Sequence, residues 1–144
     1  MRRTSRGNES QAGFTFVELL LTTIIIGLLA ALMIPAVLGQ REKAMGASAE
    51  SLLRSGAGTV EAAAVDAEGY AVITTAQLAT IEPNVSWRDT PGATTSANEL
   101  SVTNLNPSGY TLTTTAASGA VYVLEKDVTG VPTITRTCGP GCTW

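Results

Sequence analysis

Apolar residues follow one another almost without interruption from Phe14 to Gln40, and from Leu19 to Gln40 no side chain is charged. Twenty-two residues of helix at ~1.5 Å each span about 33 Å, enough for a hydrocarbon core of ~30 Å. From Arg41 to Ala64 the pattern changes. Met45, Ala49, Leu52, Leu53, Gly56, Val60 and Ala63 recur at helical spacing among small and polar residues, the signature of an amphipathic helix. Glu50 precedes Arg54 by four residues, the favourable orientation for a helical ion pair. The two stretches predict one helix from Phe14 to about Ala64, apolar all round in its first half and striped in its second.

Beyond the helix, 65–98 reads as a connecting region with a short helix at Thr75–Ile81, before Pro83, and a turn at Asp89-Thr90-Pro91-Gly92. Alternation then takes over. Leu100, Val102 and Asn104 alternate with Ser101 and Thr103, and Tyr110, Leu112 and Thr114 with Thr111 and Thr113. Ala120 to Leu124 is continuously apolar, as in a strand buried on both faces or central in its sheet. Thr133 to Thr137 is a fourth, shorter strand. The short turns between these segments favour antiparallel hairpins.

With 144 residues there is room for one modest globular domain beside the apolar block. Residues 1–13 are polar and basic, and the arginines at 2, 3 and 6 favour a cytoplasmic side for this end. The net charge is −3; removing residues 1–13 takes away three arginines and one glutamate and leaves six bases against eleven acids, −5. That balance argues against a broadly basic nucleic-acid-binding surface. The chain has no histidine, which removes the commonest general base and metal ligand. No nucleophile–base set, phosphate loop or carboxylate dyad stands in a recognisable frame, so an enzyme is not expected and no cofactor is implied.

Glu18 is the only ionisable side chain between Phe14 and Gln40. A carboxylate in an intramembrane helix is costly and marks a functional site by default; the plainer reading is an interfacial residue reaching back to water. Its neighbours decide between these. Gly13-Phe14-Thr15-Phe16-Val17-Glu18-Leu19-Leu20 resembles the N-terminal signature of type IV pilins and pseudopilins. The resemblance covers residues 13–35 at motif level and the remainder in architecture only. It implies leader cleavage between Gly13 and Phe14 by a membrane aspartyl protease, N-methylation of Phe14, and an assembly role for Glu18, the fifth residue of the mature chain. Gly27 and Pro35 sit where the family tends to have a glycine and a proline. Phe16, Val17 and Thr22-Thr23 depart mildly from the commoner residues. Cleavage creates an α-amine with a reference pKa of ~8, cationic at neutral pH. In an apolar filament core that amine and Glu18 both need partners. Pairing within one chain is possible at i, i+4; the resemblance favours pairing between chains, which sets subunit register.

Pro35 cannot donate to Ala31, and its ring crowds that turn. A kink and a segment between Gly27 and Pro35 that loosens in the filament are both open readings. Cys138-Gly139-Pro140-Gly141-Cys142 closes a very small loop. In a chain with an export signal the pair reads as a disulfide clip; the spacing and the lone nearby Arg136 speak against a redox pair. The family often bounds its C-terminal region with a disulfide, but here the loop holds three residues. Glu125, Asp127 and Thr129 suggest a calcium site only weakly, and solvated strand-end residues are the stronger reading. Asn84-Val85-Ser86 matches a glycosylation sequon. Trp87 and Trp144 are either contact residues or packed ones.

The expected fold class is α+β: a lollipop with a long N-terminal helix, half projecting, and a small antiparallel sheet on its other half. Expected regions are a leader at 1–13, a transmembrane or filament-core half-helix at 14–40, an amphipathic half at 41–64 and a globular region at 65–144. The expected function is structural, as a filament subunit that starts as a single-pass inner-membrane precursor and ends in an extracellular or envelope filament. The partners implied are copies of itself or related pilins, the prepilin peptidase, an assembly platform and, before assembly, membrane lipid; nucleic acid enters only for a DNA-uptake pilus. Pseudopilins of a type II secretion or DNA-uptake system are alternatives within the family. Outside it stand a non-polymerising single-pass binding domain and a secreted protein whose signal peptide ends near Ala47-Ser48-Ala49.

Overall fold

The computed structural model describes residues 13–140, 142 and 144, apart from the side chains at 35 and 36. The leader expected at 1–13 therefore lies outside the described residues except for Gly13. The fold is α+β: a long N-terminal helix followed by a five-stranded, mostly antiparallel sheet. Contacts divide the chain into two compact units, the first ending at Gly39 and the second comprising Gln40–Trp144.

Helix α1 is assigned over Phe16–Asp66, 51 residues, without a break through Gly27 and Pro35. It starts two residues later than the pattern predicts because Thr15 is its cap. The Thr15 hydroxyl accepts the Glu18 backbone N–H at 3.2 Å, and the Thr15 carbonyl accepts that of Leu19 at 3.2 Å. At the other end Gly69 N–H reaches back to the Ala64 carbonyl at 2.9 Å. That closure puts Glu68 at φ 58, a left-handed conformation glycine usually takes.

In the first unit every described side chain of α1 is exposed, including Leu20, Ile24, Leu28, Leu32 and Met33. This is the one described helix long and apolar enough to cross a membrane. Thr22 and Thr23 return their hydroxyls to the carbonyls of Leu19 and Leu20, both at 2.9 Å. The two polar side chains thus present no unsatisfied donor to an apolar surrounding.

In the second unit Gly46, Ala49, Leu53, Gly56, Thr59, Val60 and Ala63 of α1 are buried. Five of these belong to the predicted stripe; Met45 and Leu52 are only half-buried. The stripe packs on Leu100, Val102, Tyr110, Leu112, Tyr122 and Leu124 of the sheet in one core. Gly56 and Gly46 leave room for side chains of the sheet: a Cβ at Gly56 would overlap the Leu100 side chain, and one at Gly46 would overlap the Tyr122 hydroxyl. Glu50 and Arg54 form the expected ion pair at 3.1 Å, worth about 0.3–0.5 kcal/mol at such exposure.

After a 3-10 turn at Tyr70–Val72 comes α2 (Thr75–Ile81), where expected, held by a capping box between Thr74 and Gln77. The sheet order follows the chain: β1 (Ser86–Arg88), β2 (Glu99–Asn106), β3 (Gly109–Thr115), β4 (Val121–Asp127), β5 (Thr133–Cys138). The antiparallel expectation holds for the last four strands. It is corrected for β1, which falls in the region read as connection and pairs parallel with β2 through Trp87 and Leu100. Residues 89–98 make this crossover, and hydroxyls tie it down. Ser101 Oγ donates to the Thr90 carbonyl at 2.5 Å, and Thr94 and Thr115 exchange backbone N–H to side-chain oxygen bonds of 2.9 and 2.7 Å.

Alternation places Tyr110, Leu112 and Thr114 inward, as predicted. Asn104 is a correction: a register shift between Thr103 and Asn106 and a φ of 56 at Asn104 turn it out to solvent. The apolar strand at 120–124 is interior to the sheet rather than covered on both faces, with Tyr122 and Leu124 buried and Val121 and Val123 half-buried. Gly109 has φ 150, and a Cβ there would run into the Lys126 carbonyl.

Candidate functional site

The residues singled out from sequence fall into separate places. Phe14 is 84% exposed, and Gly13 has open space around its Cα. Glu18 is exposed in the first turn of α1. Thr15 and Glu18 occupy the cap and third positions of a Thr-x-x-Glu sequence, so the carboxylate also stands at the positive end of the helix dipole. Ahead of it, Thr15 holds Phe14 outside the helix, and after it the charge-free stretch runs to Gln40. None of the most apolar window is buried in the described chain. Over its described residues the first unit is therefore an exposed apolar helix with one acid, Glu18, near its start.

Gly27 and Pro35 both lie within helical backbone. Cys138 and Cys142 are disulfide-bonded, with Cα atoms 6.0 Å apart, within the usual range for such a bridge. Gly139 N–H donates to the Val121 carbonyl at 3.0 Å, so the clip continues the β4–β5 ladder by one residue. Trp144 packs edge-on against Tyr122 at 5.6 Å, with Arg136 5.9 Å from its ring centre. Trp87 is half-buried and donates its indole N–H to the Glu82 carbonyl at 3.3 Å.

Glu125, Asp127 and Thr129 are all exposed at the end of β4. Among the described residues no three His, Cys, Asp or Glu side chains converge as a metal site. Asp127 instead accepts the hydroxyl and the backbone N–H of Thr129 at 2.5 and 2.7 Å, and those bonds hold its carboxyl below the usual range.

A polar centre in the second unit escaped the sequence reading. Glu61, on α1, accepts from Lys126 Nζ at 2.6 Å and from the Tyr110 hydroxyl at 2.9 Å through Oε1, and from the Tyr70 hydroxyl at 2.9 Å through Oε2. Lys126 also lies 5.4 Å from the Tyr70 ring centre, and the two tyrosine rings are 5.3 Å apart. Burial works against ionisation of Glu61, but the hydrogen bonds from Lys126, Tyr110 and Tyr70 outweigh it and hold the carboxyl below its ordinary value. Burial likewise disfavours the charged Lys126, but its bond to Glu61, with Tyr70 close by, reverses the sign and pushes it up. Burial first, then Glu61, raises Tyr110. Every oxygen of this centre is spent on internal bonds joining the helix, the 3-10 turn, β3 and β4. It can fix the helix to the sheet in one register. Arg88 and Glu99 do a similar service for the crossover: they pair at 3.3 Å, while Glu99 also accepts two backbone N–H groups, from Thr95 and Ser96.

No family model matches the chain, and no curated protein or solved structure is significantly similar to it.

Proposed function

We propose that the chain is a structural subunit of a type IV pilin-like filament, cleaved after Gly13 and assembled through the N-terminal part of α1. The observation that carries this reading is the exposed apolar part of α1, residues 16–39, with its single carboxylate, Glu18, in the first turn, four residues after Phe14. A rod this apolar needs lipid or other rods around it. Before assembly lipid serves, and in the filament neighbouring copies do. In the filament Glu18 needs a cationic partner, and the α-amine that cleavage creates at Phe14 of an incoming copy would supply one. The value of such a pair is register more than net stability, because desolvation offsets most of its attraction.

One observation favours a rival. The Thr15 cap gives Glu18 a local role at the helix start, which a single-pass anchor that never polymerises would also use. Glu18→Ala separates the two. In the filament reading this subunit is processed normally but missing from sheared filaments. Wild-type filament yield from Glu18→Ala would remove the proposed role, since the cap itself resides in Thr15.

A further inference from the structure

Asn84 lies in the turn between α2 and β1, in the triplet Asn84-Val85-Ser86. Val85 N–H donates to the Glu82 carbonyl at 3.4 Å, with Pro83 and Asn84 at the two central positions of the turn. Proline presets the first of these. Trp87 braces the turn, because its indole N–H donates to the same carbonyl at 3.3 Å. Val85 is buried in the core at 8% exposure, while Asn84 and Ser86 on either side of it are exposed. Val85 thus anchors the end of the turn in the core while the asparagine and the serine of the triplet both stay at the surface.

From this geometry we infer that Asn84 is the acceptor of an N-linked glycan. The triplet has the residue types that glycan transfer needs, on a surface turn. The donor class is an oligosaccharide linked to a polyprenyl diphosphate, used by a membrane oligosaccharide transferase. Asn84 Nδ2 attacks the first sugar carbon, the N–C bond forms, the bond from that carbon to the diphosphate oxygen breaks, and the carboxamide loses one proton. The same chain contains a counter-example. Asn106-Pro107-Ser108 has proline in the middle, and its carboxamide is already engaged: Asn106 accepts Ser108 N–H at 2.7 Å and donates to the Asn104 carbonyl at 2.8 Å. The placement also has a use. β1 is a three-residue edge strand, and a bulky hydrophilic group two residues ahead of it shields that edge from pairing with another chain.

The inference rests on the proposed function in one respect, that the second unit is exported. Chain recovered from its own cells, digested with trypsin, yields peptide 55–88, in which Asn84 is the only asparagine. The expected result is a saccharide mass on this peptide that disappears in Asn84→Gln and in Ser86→Ala and persists in Ser86→Thr. A wild-type peptide found solely at its unmodified mass overturns the inference, as does a saccharide mass that survives Asn84→Gln. The N-terminal peptide of the same digest reads leader cleavage separately. An unmodified 55–88 peptide on a chain beginning at Phe14 overturns the glycan alone. A glycosylated one on a chain that keeps residues 1–13 upholds the glycan and overturns the processing step.

Discussion

Glu61→Ala removes one acceptor from three donors at once. The Tyr110 ring is buried at 2% exposure, so its hydroxyl is left with little access to water. An orphaned buried donor costs about 1–3 kcal/mol. Lys126, with its side chain 17% exposed, loses its 2.6 Å partner but reaches water in part. Glu61 itself is 39% exposed, so its charge interactions are screened and contribute less than in a dry core. The sum is a loss of about 2–3 kcal/mol. Both tryptophans of the chain, Trp87 and Trp144, lie in the Gln40–Trp144 unit, so their fluorescence reports its unfolding alone. Urea titration of the full chain in detergent measures the loss. The pH dependence adds a signature that a packing defect lacks. A carboxyl held low in the folded state binds fewer protons there than when unfolded. Its contribution is therefore in place above the unfolded glutamate value of ~4.3 and drains away as pH falls through the lowered folded value. Glu61→Gln keeps the shape and should flatten that acid limb. A loss under ~0.5 kcal/mol for Glu61→Ala, with an unchanged acid limb, would refute the reasoning.

Two glycines only two residues apart on α1, Gly56 and Gly58, should respond in opposite directions. Gly58→Ala meets open space and should stabilise by up to ~1 kcal/mol through helix propensity, whereas Gly56→Ala drives a methyl into fully buried Leu100 and should destabilise by ~1 kcal/mol or more, both read by urea titration. Reduction of Cys138–Cys142, or the double change to serine, should cost about 2 kcal/mol or less, because so short a loop removes little unfolded-state entropy; intact mass with and without reductant checks the bond itself. At alkaline pH the sign reverses from that of Glu61. Lys126 and Tyr110 are both raised in the folded state, so their contributions are complete below the unfolded values near ~10 and are lost as pH climbs above them; melting temperature should fall there, and less steeply in Lys126→Met.

The elements that were legible in the sequence are those whose burial repeats. The stripe Ala49–Leu53–Gly56–Val60–Ala63 and the alternation Tyr110–Leu112–Thr114 each reflect one face turned to one core. β1 was not legible because three residues, Ser-Trp-Arg, are too few to alternate, and its partner follows after a ten-residue crossover. Glu61 resembles any solvated helix charge, and its partners lie 9, 49 and 65 residues away. The hydroxyls of Ser101, Thr94 and Thr115 look like surface polarity until the crossover loop closes over them. Two signals were readable and unused. Thr15-x-x-Glu18 is a capping pattern that sets the true helix start, and Asn104 next to a hairpin tolerates the left-handed backbone of a bulge. For the candidate site, residue types and order pointed to Gly13, Phe14 and Glu18, but the partners of the proposed filament contact would lie on other copies, where no single chain can display them.

The central claim is that this apolar rod is made for neighbouring copies after its basic leader has gone. Mass spectrometry of the chain recovered from a sheared, pelleted filament fraction tests it directly. The expected result is a mature N-terminus at Phe14 carrying one added methyl group. A chain that keeps residues 1–13, stays out of the pellet and runs as a monomer once extracted from lipid would contradict it.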